Sequence, residues 1–177
     1  MSKFDLQQQA FEQGGVSYND SLSAQAMQPS LYDRIGHMGF VELSTKFYNQ
    51  VYDDDVQETK WFRHIFSSST KKDAIENQYT FMVQTFGGPG LYNERKGSKF
   101  TRLVGRHANF PIGTQAAHQW LRYMTLAIND HSTLDEETKH KLLQYFTYTA
   151  HYIVAAMGYM RSDQLSGGTQ MDSGRFW

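Results

Sequence analysis

Apolar side chains in this chain recur every three or four residues, stretch after stretch, and nowhere alternate with period two over a useful length. That rhythm limits the fold more than any single motif, because a one-sided stripe at helical spacing must be buried against another stripe. Over residues 39–53 the stripe is Phe40, Leu43, Phe47 and Val51, with Val41, Tyr48 and Tyr52 on a neighbouring face and Asp53-Asp54-Asp55 as the exit. A second helix is expected to open at Thr70, which with Asp73 approximates a capping box, and to run to Phe86 before Gly87-Gly88-Pro89-Gly90 stops it. One of its stripes is Ala74, Gln78, Phe81 and Thr85, with Met82 beside it. An amide between a small residue and aromatics is unusual for a plain core face. Thr114 is expected to cap a third helix reaching about Asn129, with Ala117, Trp120, Leu121, Met124, Ala127 and Ile128 inward. The last helix is expected near Leu134, where Thr133 and Glu136 suggest a capping box, and continues through Leu142, Phe146, Ala150, Ile153 and Met157. No hairpin signal separates strand-like runs. The fold class read from this pattern is all-α, as an orthogonal stack more than an up-down bundle.

The flanks differ in character. Residues 1–28 are rich in Gln, Ser and Asn and read as an N-terminal extension that packs on the domain. Phe4 and Phe11 share one face of a short helix there, ended by Gly14-Gly15. Pro29-Ser30 opens a short segment carrying Leu31 and Ile35 that stops near Gly36, and Trp61-Phe62-Arg63-His64-Ile65-Phe66 forms a dense aromatic corner. Residues 91–97 read as a polar, basic loop with Tyr92, Arg95 and Lys96. From Ser162 the composition turns to Ser, Gly, Thr and Asp, the signature of a flexible tail. The expected organisation is therefore an extension over 1–28, one domain over 29–160 and a tail over 161–177.

Composition removes whole classes of chemistry. With 177 residues the chain fits one domain with extensions, and 15% aromatics supply much buried area. A net charge of -1 gives no nucleic-acid footprint. The absence of cysteine rules out disulfides, thiolate zinc sites, iron–sulfur clusters, cysteine nucleophiles and covalent haem attachment through Cys-x-x-Cys-His. No apolar run approaches the roughly 20 residues of a membrane helix, and Ser2-Lys3-Phe4-Asp5-Leu6-Gln7 offers no signal core, so a cytoplasmic protein without membrane contact is expected.

Among seven histidines none lies three or four residues from another, so helical metal pairs are absent. Pro89 lacks the N–H that a phosphate nest needs, and Gly-x-Ser-x-Gly is missing. What remains is His107, preceded by Arg106 in a short segment that Phe110-Pro111 ends. Its imidazole suits a metal while Arg106 holds an anion; the default for a lone histidine is instead a helix-end side chain that bonds a carbonyl through one ring nitrogen. One-histidine ligation is how haem is held non-covalently. Phe62, Phe66, Phe81, Met82, Leu103, Phe110, Ile112 and Met124 could line its faces, and Arg106 and Tyr92, with Arg95 and Lys96 behind them, could meet the propionates. On composition alone the same residues make an ordinary core.

Order and spacing of several motifs add to this. Phe47-Tyr48, Trp61-Phe62…Phe66, Phe86-Gly87-Gly88-Pro89, Tyr92-x-x-Arg95-Lys96-Gly97, Arg106-His107-x-x-Phe110-Pro111-Ile112 and Trp120-Leu121-x-x-Met124 resemble a truncated haemoglobin of group II, plant-type, from about residue 30 to 158. The resemblance implies a globin-like two-over-two helical sandwich binding haem b non-covalently, with His107 as the proximal iron ligand. It implies Tyr48 as a distal hydroxyl and Trp120 as the indole marking the group, with Phe66 filling the aromatic corner. Ala74 falls where ordinary globins often carry a distal histidine, so no gate imidazole is implied, and Gln78 offers an extra amide where many relatives have leucine. Leu91 joins the haem-lining set. Otherwise Tyr48 is a core tyrosine bonding a carbonyl, Gln78 a solvated amide, and Trp120 simple packing.

The implied function is binding of O2, and of NO and CO, at ferrous iron. Each donor to the ligand is worth roughly 0.5–1.5 kcal/mol, so two or three slow release by on the order of tens to thousands-fold. Tight holding suits scavenging or redox chemistry, such as nitric oxide dioxygenation or peroxide reduction, rather than bulk transport. Turnover then requires an external reductase, since no nicotinamide or flavin fingerprint is present. The helical phases of His64 and His118 do not place them beside Tyr48 and Gln78, so a five-coordinate ferrous state, or one with weak, reversible internal ligation, is expected. A haem-based sensor and a haem-free all-α interaction module are the alternatives, and a homodimer stays open.

Overall fold

Eight α-helices run through the described residues of the computed structural model, which are 2–97 and 103–165 (side chains to 162), and no strand occurs among them. They are α1 (Lys3–Gly14), α2 (Tyr18–Ser21), α3 (Leu31–Asp53), α4 (Lys60–His64), α5 (Lys71–Thr85), α6 (Leu91–Lys96), α7 (Thr114–Asn129) and α8 (Glu136–Leu165). Short 3-10 turns lie at Leu22–Ala24 and Gly105–His107.

The predicted stripe of α3 is the centre of the molecule. Phe40, Leu43 and Phe47 are completely buried and Val51 nearly so. Each such side chain contributes roughly 1.5–3 kcal/mol of burial. Ser30 starts the helix through a reciprocal capping box with Asp33. The expected stop near Gly36 is a kink instead: Gly36 takes a φ of 63°, and the helix resumes beyond it. A left-handed residue of this kind turns the axis without ending the segment, and only glycine does so without strain.

α3 packs on α5 and on α7, and α7 packs on α8, giving the two-over-two arrangement. Rings stitch the pairs together. Phe40 stacks on Phe86 at 6.0 Å, Phe86 meets Tyr145 edge-on at 5.0 Å, and Trp120 sits between Phe47 at 5.2 Å and Phe146 at 5.3 Å. Gly87 ends α5 with a φ of 96° and lies so close to Ser30 that a Cβ would approach its side chain to 2.7 Å. The glycine run is thus both the stop and the seat for the start of α3.

Four local expectations change. Phe4 and Phe11 do share a face of α1, but it points to solvent; Leu6 and Ala10 are the buried residues. The reason is the seam with α8: Ala10 and Gly14 are small enough for close approach, and a Cβ on Gly14 would come within 2.6 Å of the His151 ring. Thr114 is the first residue of α7 rather than its cap, the cap position being Gly113 with no side-chain bond. At α8 the Asp135 carboxylate accepts from the Thr138 N–H at 2.7 Å, while the Thr133 N–H is taken by His131 Nδ1 at 3.3 Å. Residues 91–97 contain the helix α6 where a loop was expected. The Gln84 side-chain oxygen accepts from the Asn93 N–H at 3.0 Å and buried Tyr92 anchors the turn, both long-range effects that a six-residue window does not reveal. α8 runs to Leu165; the rest of the expected tail, residues 166–177, lies outside the described residues.

Candidate functional site

His107 ends the 3-10 turn between α6 and α7, its N–H donating to the Val104 carbonyl at 2.9 Å. Nδ1 lies 2.8 Å from the Leu103 carbonyl, so that nitrogen carries the proton and donates. Nε2 has no partner among the described residues. Desolvation, with the adjacent Arg106 charge, pushes the imidazole down to about 4 against the opposing pull of the Leu103 carbonyl. A neutral ring with one nitrogen anchored and the other free is the form in which histidine ligates a metal. His131 shows the contrast: it is buried, with Nε2 on the Gly39 carbonyl at 2.8 Å and Nδ1 taken by Thr133. The carbonyl bond at His107 and a ligand role at its other nitrogen are therefore compatible.

Arg106 points into the apolar region. Its guanidinium lies 3.3 Å from the centroid of Phe81, itself edge-on to Tyr92 at 5.4 Å. Tyr92 accepts a hydrogen bond from it, and Tyr145 and Tyr48 lie within electrostatic reach. Burial lowers its pKa, and no carboxylate faces it among the described residues. By contrast Arg95 is spent on α5, 3.0 Å from Glu76 and 3.0 Å from the Asn77 side-chain oxygen.

Tyr48 sits on α3 at 7% exposure, its ring edge-on to Phe47 at 4.9 Å and to Phe66 at 5.6 Å. Burial raises its pKa, which keeps the phenol protonated and able to donate, and its hydroxyl bonds no carbonyl among the described residues. Gln78 is on α5, its side-chain oxygen 2.9 Å from the hydroxyl of buried Ser44. Half-buried Trp120 packs as described, with its indole N–H unpartnered among the described residues.

The other predicted residues divide. Phe62, Ala74, Met82 and Met124 are buried in the cluster that holds Tyr48, and Phe66, Leu91, Ile112 and Trp120 pack against it. Leu103 and Ile112 border a second cluster between α1 and α8. Phe110 is half-buried and belongs to neither; its backbone N–H donates to the His107 carbonyl at 3.0 Å. His64 and His118 are exposed, the latter with its ring 5.7 Å from His151. Ser44 and Tyr145 were not among the predicted residues. Ser44 carried one legible signal, a small polar residue inside an apolar stripe one turn before Tyr48; Tyr145 carried none beside Phe146. An open cleft of about 420 Å³, lined by Gln50, Asp54, Thr59, Gln119, Arg122 and Tyr123 among others, contains no predicted site residue.

Among the described residues no group of three or more His, Asp or Glu side chains comes together to hold a metal ion. None of their helices is long and apolar enough to cross a membrane. A lone neutral imidazole, a half-buried cation without an anion among the described residues and a cluster of rings between α3, α5 and α7 fit a flat, apolar, dianionic group carrying its own iron.

Comparison with known proteins agrees. The family model for bacterial-like globins matches residues 30–155. The chain is 43% identical over 150 residues to two-on-two hemoglobin-3 of Arabidopsis thaliana, covering 85% of this chain and 82% of that one. It is 41% identical over 152 residues to group 2 truncated hemoglobin 3-1 of Lotus japonicus, covering 86% of each. Among solved structures, the thermostable hemoglobin of the actinobacterium Thermobifida fusca superposes with a TM-score of 0.61 at 30% identity, over 71% of this chain and 96% of that one.

Proposed function

The chain belongs to the bacterial-like globin family, as a truncated haemoglobin that binds haem and small gaseous ligands such as O2, and from that premise we propose that it is a tight O2-binding haem b protein of the cytoplasm suited to scavenging or redox chemistry. NO and CO compete at the same position, and an external reductase supplies electrons for any turnover. When bound, haem supplies a ferrous iron with an open coordination position for the diatomic ligand.

His107 would hold the iron through Nε2, oriented by its bond to Leu103. Arg106 and the Tyr92 hydroxyl would meet the propionates, and Phe81, Met82, Phe62, Phe66, Leu91, Leu103, Phe110, Ile112 and Met124 would exclude water around the ring. On the ligand side, Tyr48, Trp120 and Gln78 would donate hydrogen bonds to a diatomic that takes up negative charge, lowering the free energy of the bound state and slowing release. Small Ala74 would leave a path for the ligand, and His64 and His118, both exposed, would not serve as a second iron ligand.

The observation that carries this reading is the protonated, buried Tyr48 hydroxyl without a carbonyl partner, beside a neutral His107 with Nε2 free. Tyr48→Phe removes one hydroxyl and no ring. Stopped-flow O2 dissociation should accelerate by roughly 3- to 10-fold in this variant, the equivalent of one hydrogen bond. An unchanged rate would remove Tyr48 from the ligand site.

A further inference from the structure

We propose that Ser44 is a positioning residue that sets which end of the Gln78 amide faces the ligand. The inference rests on the reading of Gln78 as a ligand donor and extends it to a residue with no contact to the ligand.

Ser44 is completely buried on α3, one turn before Tyr48. Serine inside a helix ordinarily bonds back to its own helix. Here the hydroxyl crosses to α5, 2.9 Å from Gln78 Oε1 and 3.0 Å from the Ile75 carbonyl. A hydroxyl has one proton to donate. The Ile75 carbonyl lies inside α5, where the backbone already supplies a donor four residues on, so it has the weaker need. Gln78 Oε1 gains most from the Ser44 proton, because an amide oxygen in a partly buried site that lacks a donor loses its hydration without compensation.

The consequence is directional. With Oε1 held on Ser44, both N–H groups of Gln78 are turned away from α3 and available as donors on the face it shares with Ala74. With the amide reversed, the oxygen occupies that face and its lone pairs repel the negative end of a bound diatomic. Ser44 therefore selects a donor over an acceptor. It also fastens Gln78 to the helix that carries Tyr48, so the two donors share one support.

Four variants test this: Gln78→Leu, Ser44→Ala, the double variant, and Ser44→Thr, which restores the hydroxyl. In the reduced, CO-exposed proteins, the C–O stretching band should move in Ser44→Ala toward its frequency in Gln78→Leu. It should show no added shift in the double variant, and should return toward wild type in Ser44→Thr. O2 dissociation should follow, by about threefold in Ser44→Ala. In haem-free protein the side-chain amide resonances of Gln78 should show neither N–H protected from exchange, because neither donates to Ser44, and the resonances should shift in Ser44→Ala.

If Gln78→Leu moves neither band nor rate, Gln78 is no ligand donor and both readings fall. If Gln78→Leu moves them and Ser44→Ala does not, the proposal alone is overturned. One protected Gln78 N–H in the haem-free protein overturns it as well, since that is the reversed amide.

Discussion

A single arginine carries the sharpest consequence at the scale of residues. The Arg106 guanidinium lies over Phe81 with tyrosine hydroxyls around it and no carboxylate among the described residues, and burial lowers its pKa. A half-buried cation without an anion is a cost in the haem-free protein, and under the proposed function it would become an asset beside the propionates. Arg106→Met should therefore act in opposite directions on two measurements. The melting temperature of the haem-free protein should hold or rise by a few degrees, while transfer of haem to an acceptor apoprotein should accelerate about tenfold or more, following the loss of one charge-assisted contact. A fall in haem-free stability with unchanged haem transfer would make Arg106 a structural residue. The same scale shows where sequence reading stopped. Motif order singled out His107 and Tyr48, whereas Ser44 showed only as a small polar residue inside an apolar stripe, since its partner Gln78 lies 34 positions away.

Among elements, the stripes of α3 and α7 were legible residue by residue, because 3.6-residue spacing and burial are the same fact seen twice. Boundaries were less so. Gly36 could equally stop or kink a helix, and only the packing of Leu31 and Tyr32 beneath the α5 stop decides between them. For α1 the aromatic pair misled: ring size argued for burial, but the close α1–α8 seam selects Leu6, Ala10 and Gly14. That seam makes α1 part of the packed body, joined to α8 through Leu6, Tyr148, Tyr152 and Ile153. Leu6→Ala should lower unfolding stability by about 2–4 kcal/mol, as expected for a completely buried leucine, whereas Phe4→Ala, at 70% exposure, should change it by less than about 0.5 kcal/mol. Equal effects in urea denaturation would mean that α1 packs by its other face.

For the whole molecule, three helices and one turn bring together two different sets of side chains. α3, α5 and α7 carry the hydrogen-bond donors Tyr48, Gln78 and Trp120, and the turn after α6 presents His107 and Arg106. Ring contacts join α3 to α7 and α8, so the helices that carry Tyr48 and Trp120 are held in place by aromatic residues of the core itself. The proposed function turns on whether His107 Nε2 ligates the iron. The visible absorption spectrum of wild type and His107→Ala, reduced with dithionite and then exposed to O2, measures that bond most directly. Wild type should show the Soret and visible bands of a five-coordinate ferrous haem that shift to a stable oxygenated form, and His107→Ala should lose bound haem or show an altered ferrous spectrum that imidazole in solution restores. Wild-type protein that stays colourless with haem added, or a His107→Ala spectrum identical to wild type, would contradict the account.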